Sequence, residues 1–126
     1  MSVEAEILEA LASDAAVITI LGSGEKIMSG NLEKRLPLAP PLLLVEALQG
    51  APEIVGEEGI IVENWTCFVW EHRDLAMQGS GTTLESAVNK VMEKLGFART
   101  TTRRLDGGRP EREWLEMKFS GSRMRL

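Results

Sequence analysis

The stretch Ile60–Trp70, IIVENWTCFVW, constrains this chain more than any other. It is rich in β-branched and aromatic residues, which suit a pleated surface. One alternating set is Ile60, Val62, Asn64, Thr66, Phe68 and Trp70; the other is Ile61, Glu63, Trp65, Cys67 and Val69. From Trp65 onward both sets are mostly apolar, and a strand with two apolar faces is normally covered on both sides. A chain of 126 residues has material for one substantial core rather than two. The expectation is therefore that something else, such as a second copy of the chain, completes the packing. The stretch offers no group suited to acid–base or nucleophilic work in an open cleft. An architectural protein is the first reading and an enzyme the second.

Around this strand the punctuation is clear. Val3, Ile7, Leu8 and Leu11 follow helical spacing, with Glu4, Glu6 and Glu9 turned to water. Ser13 or Asp14 can cap a short second helix, Ala15–Leu21, which Gly22 ends. Ile27 and Met28 suggest a short strand, and Asn31–Pro41 a connector held extended by Pro37, Pro40 and Pro41. Leu42–Leu48, LLLVEAL, reads as a strand paired antiparallel with Ile60–Trp70. Gln49–Gly59 between them reads as a projecting acidic loop carrying Glu53, Glu57 and Glu58. Glu71–Gly81 reads as a loop. Thr82 and Glu85 form a capping box for a helix whose apolar face is Leu84, Ala87, Val88, Val91, Met92 and Leu95, with Gly96 as its stop. Phe97–Arg104 and Glu113–Phe119 read as a closing hairpin around an Asp106–Arg109 turn, and Gly121–Leu126 as a short basic tail. The expected fold is α+β: one domain over residues 1–126, a mixed and mainly antiparallel sheet with helices packed against it.

The formal net charge is −5. Residues 1–63 carry eleven acidic and three basic side chains, net −8; residues 64–126 carry eight acidic and eleven basic, net +3. Such a split suits copies that meet acidic side to basic side, and overall acidity disfavours a dedicated nucleic-acid binder. No run of eighteen apolar residues marks a membrane span, and the acidic, amphipathic start argues against a signal peptide. Cys67 is the only cysteine, which excludes an internal disulfide and fits a reducing compartment. Thiols and histidines at metal-binding spacing are lacking, so neither a metal site nor a cofactor is expected.

Catalytic motifs fail on inspection. Leu21–Lys26 looks like part of a phosphate loop, but its glycine spacing is wrong and Ile27 stands where a Ser or Thr should bind magnesium. His72-Arg73-Asp74-Leu75 matches the first letters of a kinase catalytic loop, yet Gly79 occupies the asparagine position. Asn64-Trp65-Thr66 is a formal glycosylation sequon inside an expected buried strand. His72 is the only histidine, so a nucleophile would have to pair it with Cys67, and a small hydrolase would use it with Asp74 or Glu71. No catalytic residue is expected. The residues that draw attention are instead Arg99, Arg103, Arg104, Arg109 and Arg112 around the closing hairpin. Guanidinium groups favour carboxylates and phosphates, and the Glu53, Glu57, Glu58 loop is the natural counterpart on a second copy.

The order of elements, with Ala10–Gly24, Leu36–Ala47 and Leu84–Phe97, resembles the tail terminator (tail completion) proteins of long-tailed bacteriophages, including the minor tail protein U type. That resemblance implies a mixed α/β domain that forms a homohexameric ring on the tail tube and ends tube polymerisation. It further implies contacts with the tail tube protein and the head–tail connector, with DNA passing through the ring without sequence-specific binding. The place implied is the virion tail, assembled in the host cytoplasm, with no membrane, cofactor or catalytic residue. The alternative reading is a non-catalytic self-associating adaptor or ligand-binding module.

Overall fold

The computed structural model describes residues 2–30, 41–74, 78–105 and 112–125. Helix α1 spans Val3–Ser13 and α2 spans Ala15–Leu21, followed by one 3-10 turn, Gly24–Lys26. Strand β1 is Ile27–Ser29, β2 Leu42–Gln49, β3 Glu53–Val55 and β4 Ile60–Asp74; helix α3 is Gln78–Lys94, and strands β5, Ala98–Leu105, and β6, Arg112–Arg125, follow.

The helices begin where their caps dictate. The Ser2 hydroxyl accepts from the Ala5 amide at 3.1 Å, and the Asp14 carboxylate accepts from the Val17 amide at 3.1 Å. Asp14, rather than Ser13, is thus the cap of α2. Gly22 closes that helix at φ +86°, a backbone state that favours glycine. Ser23 caps the 3-10 turn by accepting from the Glu25 amide, so the Leu21–Lys26 run is a helix stop and turn.

The strands form one mixed sheet in the order β1-β2-β4-β6-β5, with β3 paired to β4. Only β1 with β2 is parallel; the other pairs are antiparallel. The expected pairing of Leu42–Leu48 with the central strand holds, with Leu44 opposite Trp70 and Leu48 opposite Thr66. Three expectations are corrected. Residues 71–74 are strand, because β4 pairs continuously with β6 from Ile61 opposite Arg125 to Asp74 opposite Arg112. Tertiary pairing overrides the low strand preference of that charged run. The Gln49–Gly59 connection contains β3, so it is a small hairpin rather than an open loop. The basic tail is the continuation of β6. The helix also starts at Gln78, ahead of the Thr82 capping box, as an established helix extends cooperatively past a sequence-level start. The Asn31–Pro40 connector and the Asp106–Arg109 turn lie outside the described residues.

The helices cover one face of the sheet. Val3, Ile7 and Leu11 of α1, Val17 and Leu21 of α2, and Leu84, Val88, Val91 and Met92 of α3 pack on Leu43, Val45, Cys67, Val69, Leu115, Met117 and Phe119. Each strand contributes its odd-numbered residues, as period two requires. The opposite face carries Leu42, Leu44 and Trp70, which are only 1%, 1% and 7% exposed. Of the doubly apolar strand, Trp70 is therefore covered within one chain, as are its β2 neighbours, whereas Phe68 is half-buried and Ile61 exposed.

Arg123 anchors the far end of β6 to the helices. Its guanidinium donates to Glu6 on α1 at 3.0 Å and to the Leu95 carbonyl, just past α3, at 2.7 Å, and lies 4.5 Å from the Phe97 ring centroid. A cation at a helix C-terminus meets the unpaired carbonyls there. Gly121 makes room for Phe97: a Cβ at this position would lie 2.9 Å from the Gly96 carbonyl oxygen and nearer still to the Phe97 ring. Gly121→Ala is expected to lower stability by about 1–3 kcal/mol through overpacking, read as a drop in the urea midpoint. Val91→Asp should cost several kcal/mol, since it places an unpaired charge against buried Val88 and Met92; a melting temperature within a degree or two of the parent would show that α3 does not pack there.

Candidate assembly surface

Period two separates His72 from two of the partners a catalytic reading would give it, Cys67 and Glu71, but not from Asp74, which is also an even member of β4. Cys67 and Glu71 are odd members of β4 and lie on the helix-covered face, both 0% exposed. His72 is even and lies on the other face, its ring stacked on Trp114 with centroids 4.4 Å apart and planes 10° from parallel. The sheet itself stands between His72 and either partner. A shallow depression lined by Asn89, Glu93, Gly96, Phe97, Ala98 and Arg99 lies beside the β5 edge and does not include His72. Among the described residues no group of three or more His, Cys, Asp or Glu side chains could hold a metal ion. No described helix is long and apolar enough to cross a membrane.

The helix-free face carries a ladder of aromatic and charged groups instead. Phe68 and Trp70 stack at 5.4 Å, and the Lys118 ammonium stands 6.0 Å over Phe68. The Trp70 indole donates to Glu116 at 3.0 Å, and the same carboxylate accepts from Arg103 at 3.2 Å. Glu116 therefore links β4, β5 and β6 across this face.

The arginines do not act as one free patch. Arg99 pairs with Glu85 on α3 and donates through Nε to the Thr102 hydroxyl at 2.6 Å. Arg103 pairs with Glu116, but its side chain remains 66% exposed, so the pair is a weak, solvent-screened contact. Arg104 is exposed on β5. Arg112 enters only as β6 backbone opposite Asp74, and Arg109 lies outside the described residues. Glu53, Glu57 and Glu58 are exposed on the β3–β4 hairpin. This hairpin sits at the Ile60 end of β4, whereas β5 and β6 join at the Asp74 end. Fourteen residue steps separate the ends, roughly 46 Å at the usual strand rise. Glu53 stands level with Val62, whereas Arg99 stands level with Cys67 and Arg103 and Arg104 level with Trp70 and Glu71, so the acidic residues and the arginines are well separated along the sheet.

Apolar side chains missed by the sequence reading complete this surface. Leu48, Ile54, Val55, Ile61 and Met124 are 49%, 77%, 48%, 38% and 75% exposed. All belong to the hairpin end of the sheet, where Ile54 faces Ile61 across β3–β4 and Met124 lies opposite Val62. The legible signal was the Glu53-Ile54-Val55 run between Pro52 and the Gly56/Gly59 turn.

Burial pushes the Cys67 thiol from 9.0 up to about 11; the Arg123 guanidinium pulls it partly back and the Glu6 carboxylate adds to the rise. At pH 8 this leaves about 100-fold less thiolate than an ordinary cysteine. Alkylation of the folded protein at pH 8 should therefore be slower than that of the urea-unfolded chain by at least that factor. Because the neutral thiol is favoured in the fold, this contribution is intact below pH 9 and is lost between pH 9 and about 11.

No protein-family model and no curated protein matches this chain. Among solved structures, a chain from "Virion of native gene transfer agent (GTA) particle" matches with a TM-score of 0.73 at 12% identity, covering 98% of this chain and 96% of that one. At that identity the likeness establishes a shared fold over nearly the whole length of both chains.

Proposed function

We propose that this protein is a structural component of a phage-like virion, and within that class a tail terminator. Copies would close into a ring on the end of the tail tube, stop its polymerisation and present a surface to the head–tail connector. One observation carries the virion role: the near-complete overlay on a chain of a gene transfer agent virion. The finer reading rests on the order of elements and on the three stretches Ala10–Gly24, Leu36–Ala47 and Leu84–Phe97. A ring requires two different, complementary surfaces on each subunit. The β3–β4 hairpin, acidic and apolar, and the arginine-bearing β5 edge on the other side of the sheet supply two candidates. A catalytic pairing of His72 with Cys67 or Glu71 is disfavoured because both lie across the sheet from it.

Negative-stain imaging and mass measurement of the purified protein, alone and with tail tubes, test this reading. The expected outcome is a closed ring, sixfold by the resemblance, with an open centre, either free or on tube ends. Tails assembled without this protein should overrun their normal length and fail to join heads. Normal tails that join heads in its absence would refute the terminator role.

A further inference from the structure

A single exposed isoleucine is ordinary on a protein surface. At one end of this sheet five large apolar side chains are exposed, Leu48, Val55 and Met124 on the helix-free face and Ile54 and Ile61 on the helix-side face, and apolar surface of this kind marks contact surfaces. Ile54, Val55 and Ile61 sit on the β3–β4 hairpin, and none of them belongs to the helix-covered core. β3 pairs with β4 on the same side as β2, and among the described residues no strand takes its other edge. β5 pairs only with β6 among the described residues, so its outer edge is open at the opposite side of the sheet. Besides the short outer edge of β1, one subunit thus carries two open strand edges among the described residues, on opposite sides of the sheet and with opposite charge. Glu53, Glu57 and Glu58 flank the first; Arg103 and Arg104 project from the second.

We propose that the β3–β4 hairpin of one copy docks on the open β5 edge of the next copy, extending the sheet across the junction. This rests on the ring reading above and names its contact. Adding a strand to a sheet edge supplies main-chain hydrogen bonds, and side-chain pockets set the fit. If the sheet continues with the same face toward the helices, Ile54, which shares the helix-side face with Ile61, enters the depression between α3 and β5. That depression is lined by Asn89, Gly96, Phe97, Ala98 and Arg99. The glutamates at the hairpin then approach Arg103 and Arg104, which steers encounter and register more than it adds affinity. The irregularity between Arg99 and Thr101 leaves Thr101–Leu105 as the regular portion of that edge.

The test uses Ile54→Asp, at a position exposed enough to leave the subunit fold intact, and a double-cysteine variant, Ile54→Cys with Thr102→Cys, Thr102 being an exposed position opposite Met117 on the regular part of the β5 edge. Association of Ile54→Asp, followed by sedimentation with circular dichroism as a folding control, should weaken by about tenfold or more. Oxidation of the double variant should give a ladder of covalent multimers, whereas either single-cysteine variant stops at dimers; buried Cys67 adds no background. If the wild type forms rings and Ile54→Asp forms them equally well, or the double variant stops at dimers, the docking proposal is overturned while the ring reading stands. If Ile54→Asp forms rings but no longer binds tail tubes, the hairpin serves the tube protein and the proposal is overturned. If the wild type stays monomeric alone and on tubes, the ring reading fails and takes this proposal with it.

Discussion

The long antiparallel pairing of β4 with β6 is the interaction on which the rest of the structure depends. It runs without a break from Ile61 opposite Arg125 to Asp74 opposite Arg112. Every other strand except β1 attaches to one of these two: β2 and β3 to β4, and β5 to β6. Because a strand alternates its faces, this one register decides at once which residues meet the helices. A slip of one residue in β4 would turn Cys67 and Val69 away from the helices and put Phe68 and Trp70 in their place, and one in β6 would exchange Met117 and Phe119 for Glu116 and Lys118.

The helices are held to this ladder by apolar packing and by one cation. Arg123 joins β6 to α1 through Glu6, to the end of α3 through the Leu95 carbonyl, and to the Phe97 ring. Its neighbour Gly121 lacks the side chain that would collide with that ring. The same segment thus supplies both the space and the anchor at the base of α3. Ser29, which donates to Glu4, ties β1 to α1 at the other side of the sheet. The helix-free face is organised differently, by ring stacking and by Glu116, which serves both Trp70 and Arg103.

The architecture makes the chemical reading of the isolated groups unambiguous in one respect. A thiol, a carboxylate and an imidazole within six residues of one another look like a site along the chain, yet the strand places the imidazole on the opposite face from the other two. What the fold does bring together is an exposed apolar hairpin at one end and an arginine-bearing edge at the other. The strand order keeps those two surfaces on opposite sides of the sheet, and a head-to-tail contact uses two different surfaces of this kind.

Local patterns by themselves determined the helices and the central strand pair. Ser2, Asp14, Gly22 and Gly96 act through bonds and backbone states within a few residues of themselves, so their effect is written in the sequence. The apolar face Leu84–Leu95 and the alternation through Cys67 and Val69 likewise depend only on period. The acidic hairpin residues and the arginines of β5 were also legible as charged clusters. Three features were decided only by the tertiary structure. The charged run from Glu71 to Asp74 became strand because β6 supplied its hydrogen bonds. The basic tail became an anchor because Arg123 found Glu6, a residue 117 positions away. Arg99 and Arg103 were drawn into pairs with Glu85 and Glu116, contacts whose sequence separation no local pattern encodes. Long-range pairing outweighs local preference wherever it satisfies backbone groups or charges that the local chain leaves open.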